Sequence, residues 1–345
     1  MGARKKIAVV ILSWNGRKFL EQFMPSVVKY TSAELCEIIV ADNCSTDDSV
    51  EFMKVNYPGV RIIVNEKNDG FAGGYNDALR EVDAEYYVLL NQDIEVTENW
   101  VENVMAEMEK DTNIAAAQPK LRSYFQKDHF EYAGACGGYL DKYSYAFCRG
   151  RMFDVVEKDE GQYDTVREIF WATGACLFIQ SEIFWKAGAF DADFFAHQEE
   201  IDLCWRIKNM GYRIICVPQS VVYHVGGGSL SKGNPHKTYL NFRNNMRMMF
   251  KNLPTSTLLV RIPLRIAMDS LAANYSVYKN RNLKDCFAII GAHYAFIGSI
   301  PRLIKKRKGI PHSGAHLSNV NTIWQYFILR RRRFSDLPSE KTIQR

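Results

Sequence analysis

An α/β fold built on a mostly parallel sheet flanked by helices is what this sequence predicts, and three observations predict it. Short apolar, β-branched runs alternate with stretches of helical spacing as far as Asn113. The residues that follow each apolar run are polar or glycine, as at the ligand-facing edge of such sheets. The chain has 345 residues, 47% of them hydrophobic and 24% charged, enough to bury a full core in one large domain with an appendage.

The first strand is "KIAVVILSW", and "RKFLEQFMPSVVKY" after it has helical spacing. "CEIIVAD" is the second strand, followed by "STDDSVEFMKVNY", which opens with capping residues before a helix. "VRIIVN", a helix over "AGGYNDALREV", "YYVLLN" and a helix over "TENWVENVMAEMEK" repeat the theme. After Asn113 the rhythm breaks. Glycine-rich and aromatic segments, "EYAGACGGYLDKYSYAFCRG" among them, predict irregular strands and loops and a mixed second half of the sheet. A helix over Glu199 to Met210, a strand over "YRIICVP" and a closing helix over "HKTYLNFRNNMRMMFKN" complete a main domain of residues 1–253. Residues 254–345 read as a helical, basic region. "STLLVRIPLRIAMDSLAANYSVY" and "DCFAIIGAHYAFIGSIPRLI" are long, apolar on more than one side and edged with arginine, as interfacial helices are.

Several function classes are disfavoured by the same residues. The eight cysteines form no CxxC pair or framework spacing, so they read as reduced packing residues of a cytosolic protein. Arg4, Lys5 and Lys6 before "IAVVIL" imitate a short signal peptide, but the apolar run ends at once in "SWNGRKFLEQ", and a strand is the better reading. No uninterrupted apolar run reaches about 18 residues, which argues against a spanning helix. The formal net charge of +5 is concentrated in "PRLIKKRKG" and "LRRRRF", beside apolar segments. That pattern suggests a membrane surface or an anionic partner, or a helical cap or dimer contact. It does not suggest nucleic acid, since no stacking sheet or recognition motif accompanies it.

The strand ends carry the candidate chemistry. "SWNG", with Ser13 and Asn15, is neither a GxGxxG turn nor a GxxxxGK[ST] loop, which disfavours dehydrogenases and P-loop enzymes. Asp42 in "VADNCSTDD" can accept hydrogen bonds from a ribose hydroxyl or a base N–H, or cap its own turn. In "NDGFAGGYNDAL", Gly70, Gly73 and Gly74 allow close backbone approach, and Asn68 and Asn76 offer amides, although a strand-to-helix turn uses the same residues. After the fourth strand stand Asn91, Gln92 and Asp93.

The order of "VVILSWNG", "IIVADNCSTDDS", "NDGFAGGYN", "LLNQDIEV", "WATGACLFI", "EEIDLCWR", "VYHVGGGS" and "NFRNNMRMMFKN" resembles the inverting family 2 glycosyltransferases, and among them bacterial rhamnosyltransferase-like members. The likeness covers roughly the first 250 residues and implies a GT-A nucleotide-diphospho-sugar transferase fold, with a helical C-terminal appendage outside it. It also implies a nucleoside diphosphate sugar donor, UDP- or dTDP-linked, and a glycan or lipid-linked acceptor, with the enzyme at the inner face of the cell membrane; a homo-oligomer through the C-terminal helices is the alternative use of that region.

The resemblance assigns roles residue by residue. Asp93 would hold a divalent cation, Mg2+ or Mn2+, at the diphosphate, where it stabilises the departing negative charge. Two residues earlier the family commonly has another acid, whereas this chain has Asn91, a weaker ligand for a hard ion. His224 falls where related enzymes place a histidine near the metal or diphosphate, with Ser229 just beyond it. The base that deprotonates the acceptor lies in an acidic pair matching Glu199 and Glu200, with Glu200 in the position of the usual aspartate and Glu199 as the alternative. Asp202 stands nearby but has a ready ion-pair partner in Arg206, four residues on. Trp171 would floor the acceptor site above Gly174 and Ala175, or else be a core tryptophan. Arg243 would reach a phosphate oxygen, or pair within its helix. A nucleotidyltransferase would need a glycine-rich basic loop after the first strand, which "SWNGRKF" lacks; a sugar-nucleotide-binding scaffold without catalysis is the remaining rival, with Asn91 and the glutamate at 200 in its favour.

Overall fold

Residues 6–226, 233–280, 282–312 and 315–338 are described from a computed structural model. The strands and helices of the first half run in strict alternation: β1 (Ile7–Ser13), α1 (Arg17–Tyr30), β2 (Cys36–Asp42), α2 (Ser49–Asn56), β3 (Arg61–Val64), α3 (Gly70–Leu79), β4 (Tyr86–Asn91), β5 (Ile94–Val96), α4 (Trp100–Met108) and β6 (Ile114–Ser123). The second half adds β7 (Gly138–Leu140), β8 (Ala146–Cys148), β9 (Arg151–Met152), β10 (Val155–Val156), β11 (Arg167–Glu168), β12 (Cys176–Gln180), α5 (Ser181–Lys186), α6 (Glu199–Asn209) and β13 (Arg213–His224). Three helices follow, α7 (Pro235–Asn252), α8 (Thr255–Asn280) and α9 (Leu283–Arg307).

The main sheet has the order β11-β13-β6-β12-β4-β1-β2-β3, with β5 paired to β13. β1 to β4 are parallel to one another, β12 is inserted antiparallel between β4 and β6, and β13 runs parallel to β6. The mixed second half expected after Asn113 is therefore present. Crossover helices bury one stripe each, as Leu20, Phe23, Met24 and Val27 do at helical spacing on α1. Two apolar layers result, one on each face of the sheet, and Trp100 is wholly buried in one of them with its indole N–H donating to Thr31 Oγ1 at 3.2 Å.

The glycine-rich and aromatic segment folds as a second, antiparallel sheet in the order β10-β9-β8-β7. Residues 315–338 return to it. Lys142 N donates to Val320 O, Thr322 donates through N and Oγ1 to Asp141 Oδ2, and Phe334 is buried among Tyr139, Phe147 and Tyr163. None of the eight cysteines forms a disulfide and six are buried, as packing residues would be.

α9 buries Ile289, Ala292, Phe296 and Leu303, lies along α7 and α8, and leaves its other side in solvent. Contrary to the sequence expectation, this helix is long and apolar enough to cross a membrane by length and composition, with an 18-residue window of mean hydropathy 1.4 that is only 22% buried. Scattered small and polar residues such as Gly291, His293 and Ser299 break the apolar run without lowering that average below the threshold for a span.

Candidate active site

Parallel registry aligns the carboxyl ends of the first strands. Ser13 lies opposite Asp42, and Leu12 opposite Asn91, so the segments after β1, β2 and β4 form one edge. Ser13 Oγ donates to Gln92 Oε1 at 2.7 Å and Trp14 N to the same oxygen at 3.3 Å. Gly16 is required by this arrangement, because a Cβ there would fall 1.9 Å from Gln92 Oε1. Asn15, in the left-handed region at φ 47°, accepts Thr46 N at 2.8 Å and so ties the first loop to the second. Asp42 is buried; its Oδ2 accepts Ser45 N at 2.9 Å, while Oδ1 has no hydrogen-bond partner among the described residues. An orphaned buried acceptor costs about 1–3 kcal/mol, which a ligand N–H or O–H would recover.

The glycine-rich segment serves the fold rather than offering its backbone to a ligand. A Cβ on Gly70 would meet Phe195 O at 2.4 Å, and one on Gly74 would meet Asn43 Oδ1 at 2.7 Å. Asn76 is spent on Phe190, donating to its O at 2.8 Å and accepting from its N at 3.1 Å. Asn68 accepts Asn43 Nδ2 and Gly70 N, both at 2.9 Å, and caps the turn. These four expected donor contacts are engaged in close chain-to-chain packing, for which glycine and asparagine are equally suited.

Asp93 and His224 are brought together by an antiparallel pairing of β13 with β5, in which His224 lies opposite Ile94 and Val225 N donates to Asp93 O. His224 Nε2 lies 3.2 Å from Asp93 Oδ1 and 3.5 Å from Asn91 Nδ2. On the far side of the ring, Nδ1 lies 3.3 Å from Glu131 Oε1. Glu131 was not anticipated from the sequence. It is buried on the chain's return from β6, where its N donates to Leu121 O. Burial disfavours a charged imidazole, but the two carboxylates outweigh it and push the His224 pKa up to about 10. Burial likewise works to raise Asp93, yet His224 holds its carboxyl below the usual range.

The donor set suits a divalent cation. Asp93 would supply an oxygen, Asn91 a carbonyl once its amide is turned, and His224 Nε2 a nitrogen only on losing the proton it shares with Asp93, with Glu131 behind the ring as the carboxylate that orients it. It is a sparse set, since among the described residues no three His, Cys, Asp or Glu side chains gather as a cage. Residues 227–232, which include Ser229, lie outside the described residues.

The acidic pair opens α6 behind a turn in which Phe195, His197 and Gln198 all have positive φ, at 65°, 70° and 72°. Glu199 is buried and Glu200 half-buried, and each keeps an Oε2 without a hydrogen-bond partner among the described residues. Burial pushes Glu199 well above the ordinary carboxylate range, with the Glu200 charge adding to it; burial pushes Glu200 up to about 7. Gly174 belongs beside this pair, since a Cβ there would lie 3.5 Å from Glu200 Cβ, and Ala175 O accepts Asn91 N at 2.9 Å. The loop before β12 thereby joins the end of β4 to the start of α6.

Three expected participants are placed elsewhere. Asp202 is fully buried, bound by Arg206 at 2.9 Å, Lys251 at 2.8 Å and Asn252 at 2.8 Å, so it is removed from the acids available for proton transfer. Trp171 is a core residue that donates to Tyr139 O at 3.0 Å and packs on Gly138, and no ring face is left for a sugar. Arg243 donates to the carbonyls of Asp193 and Phe194, and so braces the turn ahead of α6.

Relatives in sequence and in fold agree with this geometry. The sequence pattern described as glycosyl transferase family 2 matches residues 8–147. An N-acetylglucosaminyl-diphospho-decaprenol L-rhamnosyltransferase of Mycobacterium tuberculosis is 22% identical over 235 residues, which are 63% of this chain and 75% of that enzyme. Among solved structures, GalNAc-T7 with UDP, GalNAc and Mn2+ overlays with a TM-score of 0.58 at 16% identity, covering 90% of this chain and 59% of the other. Staphylococcus aureus TarS, residues 1–349, with UDP-GlcNAc overlays with a TM-score of 0.55 at 15% identity, covering 87% and 83%. The overlays establish the GT-A fold, and the match of residues 8–147 to the family 2 pattern, with the rhamnosyltransferase likeness beside it, supports a glycosyltransferase.

Proposed function

We propose that this enzyme moves a sugar from a nucleoside diphosphate sugar to a hydroxyl of a glycan or lipid-linked acceptor, with inversion at the anomeric carbon, and that Glu200 is the base. The observation that carries the assignment is the contrast within the acidic pair. Glu199 is buried and held well above the ordinary carboxylate range by burial and by the Glu200 charge, whereas Glu200 is half-buried and pushed up to about 7; both keep an unpartnered Oε2. Glu200 takes the acceptor proton as the hydroxyl oxygen attacks the anomeric carbon, and the nucleoside diphosphate leaves from the opposite face. The free Oδ1 of Asp42 accepts from the nucleoside. A divalent cation held by Asp93, His224 and Asn91 would neutralise charge on the departing diphosphate.

The acceptor side of the proposal extends to a membrane. α8 leaves Val260, Leu264, Leu271 and Tyr278 exposed along one stripe, and α9 leaves Phe287, Ile290, Tyr294 and Ile297 along another. Exposed Lys305, Lys308 and Arg330 to Arg333 accompany them, and each basic residue near an anionic surface contributes about 1 kcal/mol. We place the enzyme at the cytoplasmic face, beside a polyprenyl-linked acceptor. The first experiment is a calorimetric titration with UDP and dTDP, each with and without Mg2+ or Mn2+. Metal-strengthened binding of one nucleotide supports the donor site and selects its pool; binding of neither overturns the reading in favour of a scaffold.

A further inference from the structure

The turn that delivers Glu199 and Glu200 is costly by itself. Non-glycine residues at positive φ are strained, and this turn holds Phe195, His197 and Gln198 there within four positions. Such a conformation persists only where its surroundings over-determine it. Part of that restraint comes from α7: Asn244 Nδ2 donates to the carbonyls of Phe194, Ala196 and His197 at 3.0, 2.9 and 2.8 Å, and Arg247 Nη1 to Asp193 O at 2.9 Å. Lys251 bridges Asp191 at 2.7 Å and Asp202 at 2.8 Å, which joins the start of the turn to the body of α6.

The rest comes from α9, more than a hundred residues further along the chain. Lys306 Nζ bonds to Asp191 Oδ1 and lies 2.7 Å from Asp193 Oδ2, and Arg302 Nη1 lies 2.9 Å from Asp193 Oδ1. Arg307 ties the same helix end to α7 by donating to Lys251 O at 3.2 Å. The Asp191 side chain is only 7% exposed, and its charge is balanced by the two lysines that face it.

We propose that Lys306 is a positioning residue for the transfer step: from the C-terminal helix it holds the turn at residues 191–198 in the shape that aims Glu200 at the acceptor. The C-terminal region is then part of the catalytic apparatus, independently of any role it has at a membrane. This rests on Glu200 being the base, and the test separates the two. Lys306 is part-exposed and bonds to Asp191 and Asp193, neither of which is assigned to the donor, so Lys306→Ala should leave the donor half intact.

The full chain is assayed with dTDP-L-rhamnose and an N-acetylglucosaminyl-diphospho-polyprenol, together with thermal melting, nucleotide titration and hydrogen exchange of the amides of residues 192–200. Misplacing a reacting group by about 1 Å costs up to about a hundredfold, so a partial release predicts a fall in kcat of about tenfold. Nucleotide affinity should stay within about twofold, exchange in the turn should rise about tenfold, and Lys306→Arg should recover most of the rate. Unchanged kcat, or unchanged exchange in the turn, overturns the proposal. So does a fall in kcat that comes with equal losses of nucleotide affinity and melting temperature, because that marks general destabilisation. If Lys306→Ala loses rate as described while Glu200→Gln keeps it, the turn is positioned as proposed but the base is another residue.

Discussion

A carboxyl that titrates near 7 in place of the ordinary 4.5 makes the transfer rate a function of pH in a range where most enzymes of this size are stable. In the proposed mechanism only the ionised form of Glu200 takes the acceptor proton. With a pKa of about 7, about one-tenth of the molecules carry that form at pH 6 and about nine-tenths at pH 8. We expect kcat to rise about tenfold between these pH values, whereas a carboxyl in its ordinary range would give a flat profile. Glu200→Gln should lower kcat by about 10²–10⁴-fold at pH 8 and abolish the inflection, with nucleotide affinity unchanged. Glu199→Gln replaces an acid that burial holds well above the ordinary carboxylate range and should keep the inflection. The stability sign runs the other way from the rate. A folded-state pKa above the unfolded value contributes stability that is full below pH 4.5 and lost as pH rises through 7, so Glu200→Gln should flatten the decline in melting temperature over that window. The assay is nucleotide release at saturating donor and acceptor from pH 5.5 to 8.5. A profile flat between pH 6 and 8, or an inflection near 7 that survives in Glu200→Gln, would refute the reasoning.

Other expectations follow from buried contacts. Lys251→Met leaves Asp202 and Asp191 buried with one cation fewer each and should cost about 3–5 kcal/mol in urea unfolding; a loss below about 1 kcal/mol would show that the network is redundant. Phe334→Ala removes a buried ring from the aromatic cluster of the second sheet and should cost about 3 kcal/mol, read in the same titration. Glu131→Gln removes the carboxylate behind His224 and should weaken metal-dependent nucleotide binding by about 10–100-fold while leaving metal-free binding in place. Phe287→Glu with Tyr294→Glu should reduce co-flotation with anionic vesicles but not soluble nucleotide binding; equal flotation would place the membrane contact elsewhere.

What the sequence disclosed follows from how each signal is encoded. The parallel half of the sheet is a local pattern, an apolar run and then a helical stripe, repeated four times, and its strand ends carry Asp42 and Asp93 where topology requires a ligand edge. His224 was legible through a motif, but its partner Glu131 was not. It lies in a loop with no periodicity and reaches the ring only because the chain doubles back after β6. Asn76, Gly70 and Gly74 misled because packing against Asn43, Phe190 and Phe195 makes the same demand for small or amide side chains as a ligand would. Trp171 was ambiguous by composition, and only the approach of Gly138 decides it. The long helices after Pro254 were plain from their apolar length, whereas the return of residues 315–338 to the second sheet rests on single anchors, Thr322 and Phe334, that no periodic signal marks.

That return also bears on how the molecule is made. Phe334 N donates to Glu157 Oε1 across 177 residues of sequence, and its ring fills a hole bounded by Tyr139, Phe147 and Tyr163. Because translation is vectorial, the parallel sheet can close while the ribosome is still working, but this aromatic cluster must wait until residue 334 has emerged. Until then three tyrosine and phenylalanine rings stay open to solvent and to chaperones, and a nascent chain stalled before residue 334 would expose a sticky, unfinished face.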